Sequence, residues 1–554
     1  MDKKDRFRSA TNNRKGFKLE SKLPLITEIL DSNRKKYSND CALVEIDPGK
    51  NLRKALTWDD FFLFSGKIAS NLLVNKIKKG DCVVHLMMNC LEWLPVYFGI
   101  LKTGALAVPI NFRFMAQTIK NCINLVEAKA VFFDETFIER LNEIYGDLKE
   151  KNILFIFTGK KEIMPGYAVH ISDFLSVEEK SELIDSIKIM PEDDAAMYFT
   201  SGTTGDPKAV LLTHDNLSYA CEVEYKHHSQ THDDVFLCIP PLYHTGAKMH
   251  WFGSLKSGGK GVILKGTKPR DIIAAVSSES VSIVWLLVPW AHDILVAIEN
   301  KELDIKDYDL SRWRLMHMGA QPVPETLIRK WEAVFPHHEY DTNYGLTEAS
   351  GPGCVHLGMD NLHKIGSIGI PGYGWKFQIV YRNMEPVPRG EPGELIVNGR
   401  GVMKEYYKNR EATEKTLKNG WLRTGDIARV DKDGFIWLLD RKKDVIITGG
   451  ENIFPAEIED FILSHPKVHD VAVIGTPDKR LGELVTAIVQ PKRGHDISEE
   501  EIIEFCSKIP RYRRPRIVHF DYVPRNPTGK IEKPKLRKKF TGIYSSFKRD
   551  FNDY

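Results

Sequence analysis

Short apolar runs alternate with amphipathic stretches along most of this chain, the pattern of strands taking turns with helices. Cys82–Met87 reads as a strand buried on both faces. Asn89, with Glu92 three residues on, predicts a capped helix that Gly104 closes. Ala105–Ile110 is the next strand, a helix follows over Gln117–Val126, and Ala130–Phe133 is a third strand. The alternation returns around Ser218–Ile239 and Asp271–Val288. Such an order needs crossover connections, hence a parallel sheet with helices on its faces. Near Asp440 the pattern changes, and a strand gives way to the charged Arg441-Lys442-Lys443-Asp444. Beyond it, Pro455 suits the first turn of a helix running to Ser464, and Val468–Ile474 and Leu484–Val489 read as strands. Ser498 with Glu501 caps a helix over Glu499–Ile509. The expected fold class is therefore α/β, with a large domain over residues 1–440 (1–19 loose) and a smaller α+β domain over 441–554.

A length of 554 residues exceeds what one hydrophobic core ordinarily serves, which fits two domains. The formal net charge of +3 gives no field for a polyanion, so no nucleic-acid partner is expected. The eight cysteines include no CxxC pair, which speaks against a cysteine-zinc or disulfide framework and fits a reducing cytoplasm. Trp93–Leu101 and Val281–Ala291, the longest apolar stretches, are too short to span a bilayer, so no integral membrane segment is expected. The charged Met1–Arg8 stretch has no apolar signal region, and Asp2 and Asp5 argue against a mitochondrial presequence.

The densest chemistry lies in Tyr198–Val210, where Ser201, Gly202, Thr203, Thr204, Gly205 and Lys208 crowd one short stretch. Glycines let backbone close on a ligand, while hydroxyls, N–H groups and an ammonium all donate to oxyanions, which points to a polyphosphate. The stretch fails the Walker pattern: Pro207 stands where the second glycine belongs, Ala209 follows the lysine, and Ala209–Leu212 reads as a strand rather than a helix. A phosphate-holding hairpin loop of another fold is the reading that remains. It resembles the signature loop of the adenylate-forming superfamily, which includes acyl-CoA synthetases, peptide adenylation domains and luciferases. Ala209 stands where that family usually has glycine.

The resemblance extends over roughly Thr57 to Phe540, and the family's motifs occur in its order. It implies a small β-barrel-like region within the large domain and mobility of the small one. Asn343-Tyr-Gly-Leu-Thr-Glu348 is similar to the family's Tyr-Gly-x-Thr-Glu segment: Tyr344 offers a face to adenine, Gly345 allows close approach, Thr347 bonds phosphate, and Glu348 supplies hard oxygen to Mg²⁺. Gly319-Ala320-Gln321 resembles the loop against the adenine. Asp426, in Arg-Thr-Gly-Asp, would accept the ribose hydroxyls, and Arg441 would bond ribose or phosphate. Lys530, in Pro-Thr-Gly-Lys, matches the catalytic lysine that stabilises charge as acyl-AMP forms. The hinge falls on Lys443, and after rotation Gly449 and Gly450 would line the channel of a thiol.

Three readings compete: an acid:CoA ligase, an enzyme loading an amino acid or other acid onto a carrier protein, and a non-catalytic nucleotide-binding homologue. Tyr243-His244 stands where amino-acid adenylation domains usually place a carboxylate, and His244 would orient the substrate carboxylate or shape the acyl pocket. Tyr512, Arg514 and Arg516 resemble the segment that meets the CoA nucleotide. His250–Phe252, Trp285 and Gly351–Val355 suggest a bounded pocket for a medium-chain aliphatic, alicyclic or aromatic acid. The expected cofactors are ATP, Mg²⁺ and CoA, and a homodimer is the expected assembly.

Overall fold

The computed structural model describes residues 22–176, 180–200, 207–319, 323–449, 451–526 and 530–541. Among them two large sheets dominate. The first runs in the order Glu405–Tyr406, Lys208–Thr213, Asp194–Thr200, Leu106–Pro109, Cys82–Leu86, Ala130–Phe133, Leu154–Phe157, Val169–His170. Its strands from Asp194–Thr200 to Val169–His170 are parallel, and their alternation with helices follows the sequence expectation. Asp194–Thr200 and Lys208–Thr213 pair antiparallel, Thr200 opposite Lys208, which makes the glycine-hydroxyl stretch a hairpin connection as read from the sequence. Ser201, Gly202, Thr203, Thr204 and Gly205 themselves lie outside the described residues, as do Ala320, Gln321 and Gly450.

The second sheet centres on parallel strands Glu339–Leu346, Leu315–Gly319, Ile283–Leu287, Val235–Cys238, Lys260–Leu264 and Cys41–Asp47, in that order. After Val235–Cys238 the chain lays Lys260–Leu264 on one side and Ile283–Leu287 on the other. That reversal opens a crevice at the carboxyl ends of the strands, where open α/β sheets bind ligands. Ile283–Leu287 and Leu315–Gly319 are buried throughout, as strands covered on both faces must be.

The region expected to be barrel-like is a five-stranded antiparallel sheet that includes Gly393–Asn398, Trp421–Val430 and Ile436–Arg441. Past Arg441 the chain buries a core of its own, with Ile446, Ile458, Ile462, Val471, Val473, Val485 and Val489. Helix Pro455–Leu463 starts at the expected proline, whereas the helix capped by Ser498 stops at Phe505 rather than Ile509 and tightens into a 3₁₀ turn. Asn89 does not cap the next helix: Trp93–Lys102 begins at Glu92 with no side-chain cap. Asn89 instead spans the two sheets, its Nδ2 donating to the Pro240 carbonyl at 3.0 Å and its Oδ1 accepting from Leu242 N–H at 2.8 Å. The long-range bonds outcompete the local cap. No described helix is long and apolar enough to cross a membrane, and none of the eight cysteines is in a disulfide.

Candidate active site

The carboxyl edges of the strands deliver the candidate residues to one crevice. Gly319 ends Leu315–Gly319, His244 follows the Val235–Cys238 strand, and Tyr344 and Gly345 lie at the end of Glu339–Leu346. Opposite the neighbouring strand, Tyr344 pairs with Val355 and Leu346 with Gly351, so the register shifts across Gly345 and the extra residues lie on the neighbouring strand. The strand then passes into a 3₁₀ turn over Thr347–Ala349 that carries Thr347 and Glu348. Thr347 Oγ1 lies 3.4 Å from Thr245 Oγ1 on the first turn of the helix after His244. Glu348 is half-buried, and its Oε1 accepts from Tyr406 O–H at 2.7 Å, which fixes the carboxylate and leaves a second oxygen. Lys208 Nζ sits 4.9 Å from the centre of that same Tyr406 ring. Tyr406 thus links the hairpin lysine to Glu348, a role no local motif announces. A half-buried, pre-oriented carboxylate beside the polyphosphate-loop lysine suits Mg²⁺, which takes one or two carboxylates plus phosphate oxygens.

Asp426 and Arg441 face each other in register on adjacent antiparallel strands. Arg441 Nε meets Asp426 Oδ1 at 2.7 Å, and the Tyr344 hydroxyl donates to Asp426 Oδ2. Each carboxylate oxygen keeps a further acceptor site, the capacity a ribose diol needs. Tyr344 is itself buried, so its contribution on this side is to hold Asp426. Arg423, in the same Arg-Thr-Gly-Asp run, is spent on Glu394 rather than on the crevice. The Asp426 carboxylate beside Arg441 raises the guanidinium's already high pKa further.

Lys530 comes from the C-terminal region and reaches this cluster. It is exposed to solvent yet surrounded by protein, the situation of a side chain in a cleft. Desolvation by the surrounding protein and then the Arg441 charge push its pKa down to about 8, while Asp426 and Glu348 pull the other way. His244 feels the same ammonium: burial first, then Lys530 and His250, push it down to about 4. His244 Nδ1 accepts from Gly246 N–H at 3.1 Å as the N-cap of helix Thr245–Ser257. The neutral ring therefore carries its proton on Nε2, and His244 is a structural cap and a hydrogen-bond donor at once. A Cβ on Gly246 would stand 3.1 Å from both His244 and the Trp285 ring, and one on Gly319 would stand 3.4 Å from Trp285 Nε1. Those small residues let the Trp285 ring pack close beside His244 in the crevice.

Lys443 is exposed, and desolvation, only partly offset by Asp444, pulls its pKa down. Nearby, Asp440 Oδ2 accepts from Ala456 N–H at 2.9 Å, tying the last strand of the large part to the first helix of the small one. Gly449, at φ +58°, turns the hairpin that pairs Thr448 with Glu451. No described contact joins Gly449, Tyr512, Arg514 or Arg516 to the Lys530 cluster. Arg514 donates from Nε and Nη2 to the carbonyls of Ile509 and Ser507 at 2.8 and 2.6 Å. Tyr512 and Arg516 remain exposed.

The AMP-binding enzyme family matches residues 30–407, and the C-terminal domain of AMP-binding enzymes matches residues 457–530. The chain belongs to the AMP-binding enzyme family. It is 32% identical over 492 residues to a feruloyl-CoA synthase of an Amycolatopsis species, covering 88% of this chain and 94% of that protein. It is 31% identical over 502 residues to a long-chain-fatty-acid–CoA ligase of Mycobacterium tuberculosis, covering 90% and 95%. The crystal structure of an anthranilate CoA ligase with anthranoyl-AMP superimposes with a TM-score of 0.83 over 98% of this chain and 99% of that one, at 23% identity, a likeness of fold.

Proposed function

We propose that the chain is an ATP-dependent, AMP-forming acid:CoA ligase. Its relatives are ligases of aromatic and long-chain acids with CoA. The observation that carries the residue assignment is the convergence of Lys530 with Glu348, Asp426, Arg441 and His244 across the two parts of the chain. The substrate carboxylate, oriented by His244 Nε2–H, attacks the α-phosphorus of ATP and expels pyrophosphate. Lys530 neutralises charge that develops on the α-phosphate and the attacking oxygen, and Asp426 with Arg441 holds the ribose. The hairpin from Ser201 to Lys208 grips the β- and γ-phosphates, and Glu348 would hold Mg²⁺, which neutralises phosphate charge when bound. In the second step the small domain, residues 441–554, turns about Lys443 and withdraws Lys530. The CoA sulfur then attacks the acyl carbonyl carbon and AMP leaves, with Gly449 and Gly450 beside the thiol arm and Tyr512 and Arg516 at the CoA nucleotide. No enzyme nucleophile is needed.

Trp285 sets the size of the acid. Its ring is buried and abuts Gly246 and Gly319, so the pocket is bounded and fits a medium-chain aliphatic, alicyclic or aromatic acid. ATP–pyrophosphate exchange over a panel of carboxylic acids, with and without CoA, tests the reading. Exchange with such an acid, and AMP release on adding CoA, is expected. AMP release that requires a carrier protein instead would transfer the proposal to that acceptor, and silence across the panel would favour a non-catalytic nucleotide binder.

A further inference from the structure

Behind Trp285 lies a group of charged and imidazole side chains that the ligase reaction does not use. Glu224 and His228 sit one turn apart at the end of helix His214–His227. His317 occupies the middle of strand Leu315–Gly319, paired with Trp285 on the next strand. All three are at most 1% exposed. Their ligand atoms lie within 4.8 Å of one another. Glu224 Oε2 and both ring nitrogens of His317 have no hydrogen-bond partner, while His228 Nδ1 lies 2.8 Å from Glu224 Oε1 as an ion pair. Buried polar atoms left unpaired cost about 1–3 kcal/mol each, so three in one place call for a ligand.

The surroundings have the form of a metal site's outer contacts. His228 Nε2 bonds Asp341 Oδ2 at 3.0 Å, and Asp341 is itself held by Gly358 N–H at 2.8 Å. That carboxylate–histidine pairing orients a ring and leaves its other nitrogen for a cation. Glu224 Oε1 is occupied by His250 Nδ1 at 2.8 Å, and Oε2 has no partner. We propose that Glu224, His228 and His317 bind one divalent first-row transition-metal ion, Zn²⁺ by the match of two imidazoles and a carboxylate. This is a structural site distinct from the oxygen-rich Mg²⁺ position at Glu348. It cross-links the helix and the strand that back Trp285 and so stiffens the wall of the acid pocket. No local motif marks these ligands, because they are spread over 94 positions from Glu224 to His317.

The test is the metal content of wild-type protein grown with added zinc and purified without nickel resin. About one zinc per chain is expected, retained through native dialysis against EDTA and released to a chromophoric chelator only on unfolding. His317→Gln should lose the metal and lower Tm, while His356→Gln, which removes a neighbour of Asp341 Oδ2 but none of the three ligands, should keep it. Where a variant fails to fold, wild-type protein refolded with and without Zn²⁺ gives the same answer through Tm. Folded wild-type protein with less than about a tenth of an equivalent of any transition metal overturns the site. So does metal that survives in His317→Gln and vanishes in His356→Gln, which would move the ion to His228, Asp341 and His356.

Discussion

At the scale of single residues, one side chain of the crevice can brace the fold and offer a donor at once. His244 caps its helix through Nδ1, which accepts from Gly246 N–H, and its neutral ring leaves a proton on Nε2 for the carboxylate of the proposed substrate. A donor bonded to a carboxylate is worth about 1.5–3 kcal/mol, so His244→Ala should lower kcat/KM for the acid about 10- to 100-fold. KM for ATP should hardly change, and a glutamine at 244 should recover part of the loss. An equal loss toward ATP, measured by initial rates, would make His244 a structural cap alone. Tyr406→Phe removes the bond to Glu348 Oε1 together with a hydroxyl contact to Thr416. One hydrogen bond of about 1 kcal/mol should raise the half-saturating Mg²⁺ concentration several-fold and leave KM for the acid unchanged. Glu348 was legible because its motif is local. Tyr406, 58 positions away from it, was not.

At the scale of elements, loops work only as well as the strands and braces that aim them. The alternation of periods 2 and 3.6 was enough to place the parallel strands Cys82–Leu86, Leu106–Pro109 and Ala130–Phe133 and to show that a strand, not a helix, follows Lys208. The Asn89 brace escaped notice because the same residue satisfied a local capping pattern, and a partner more than 150 positions distant cannot be read from neighbours in sequence. That brace fixes the turn at Pro240–Leu242, from which His244 and its helix start. Asn89→Ala forfeits both bonds, an expected loss of about 1–3 kcal/mol in unfolding free energy by denaturant titration. KM for the acid should rise more than KM for ATP, since the braced loop leads to His244 and not to Lys208. Arg514 shows a related limit: the motif does not announce that two of its guanidinium N–H groups bond carbonyls of its own chain.

At the scale of the whole molecule, one lysine should record the position of an entire domain. Lys530 has a pKa near 8 because the small domain sets it among Arg441, Asp426, Glu348 and Lys443 in a protein-walled cleft. Desolvation and the Arg441 charge oppose its proton, so the charged form is present below about pH 8 and lost above it. In the proposed mechanism the charged form is the one that stabilises the adenylation transition state. Hence kcat/KM for acyl-AMP formation should fall as pH rises through about 8 in the free enzyme. The limb should move upward in kcat, where bound polyphosphate favours the ammonium. If the domain turns and withdraws Lys530 before the thiol attacks, thioester formation from supplied acyl-AMP should lack that limb altogether. Lys530→Ala should accordingly abolish pyrophosphate exchange and largely spare the second step, and a bulky residue at Gly450 should do the reverse. Stopped-flow measurement of the two half-reactions across pH 6.5–9.5, a window of about 1.5 units either side of 8, decides the matter. A shared alkaline limb, or equal damage to both steps in Lys530→Ala, would mean that the lysine never leaves and that one arrangement of the domains serves both reactions.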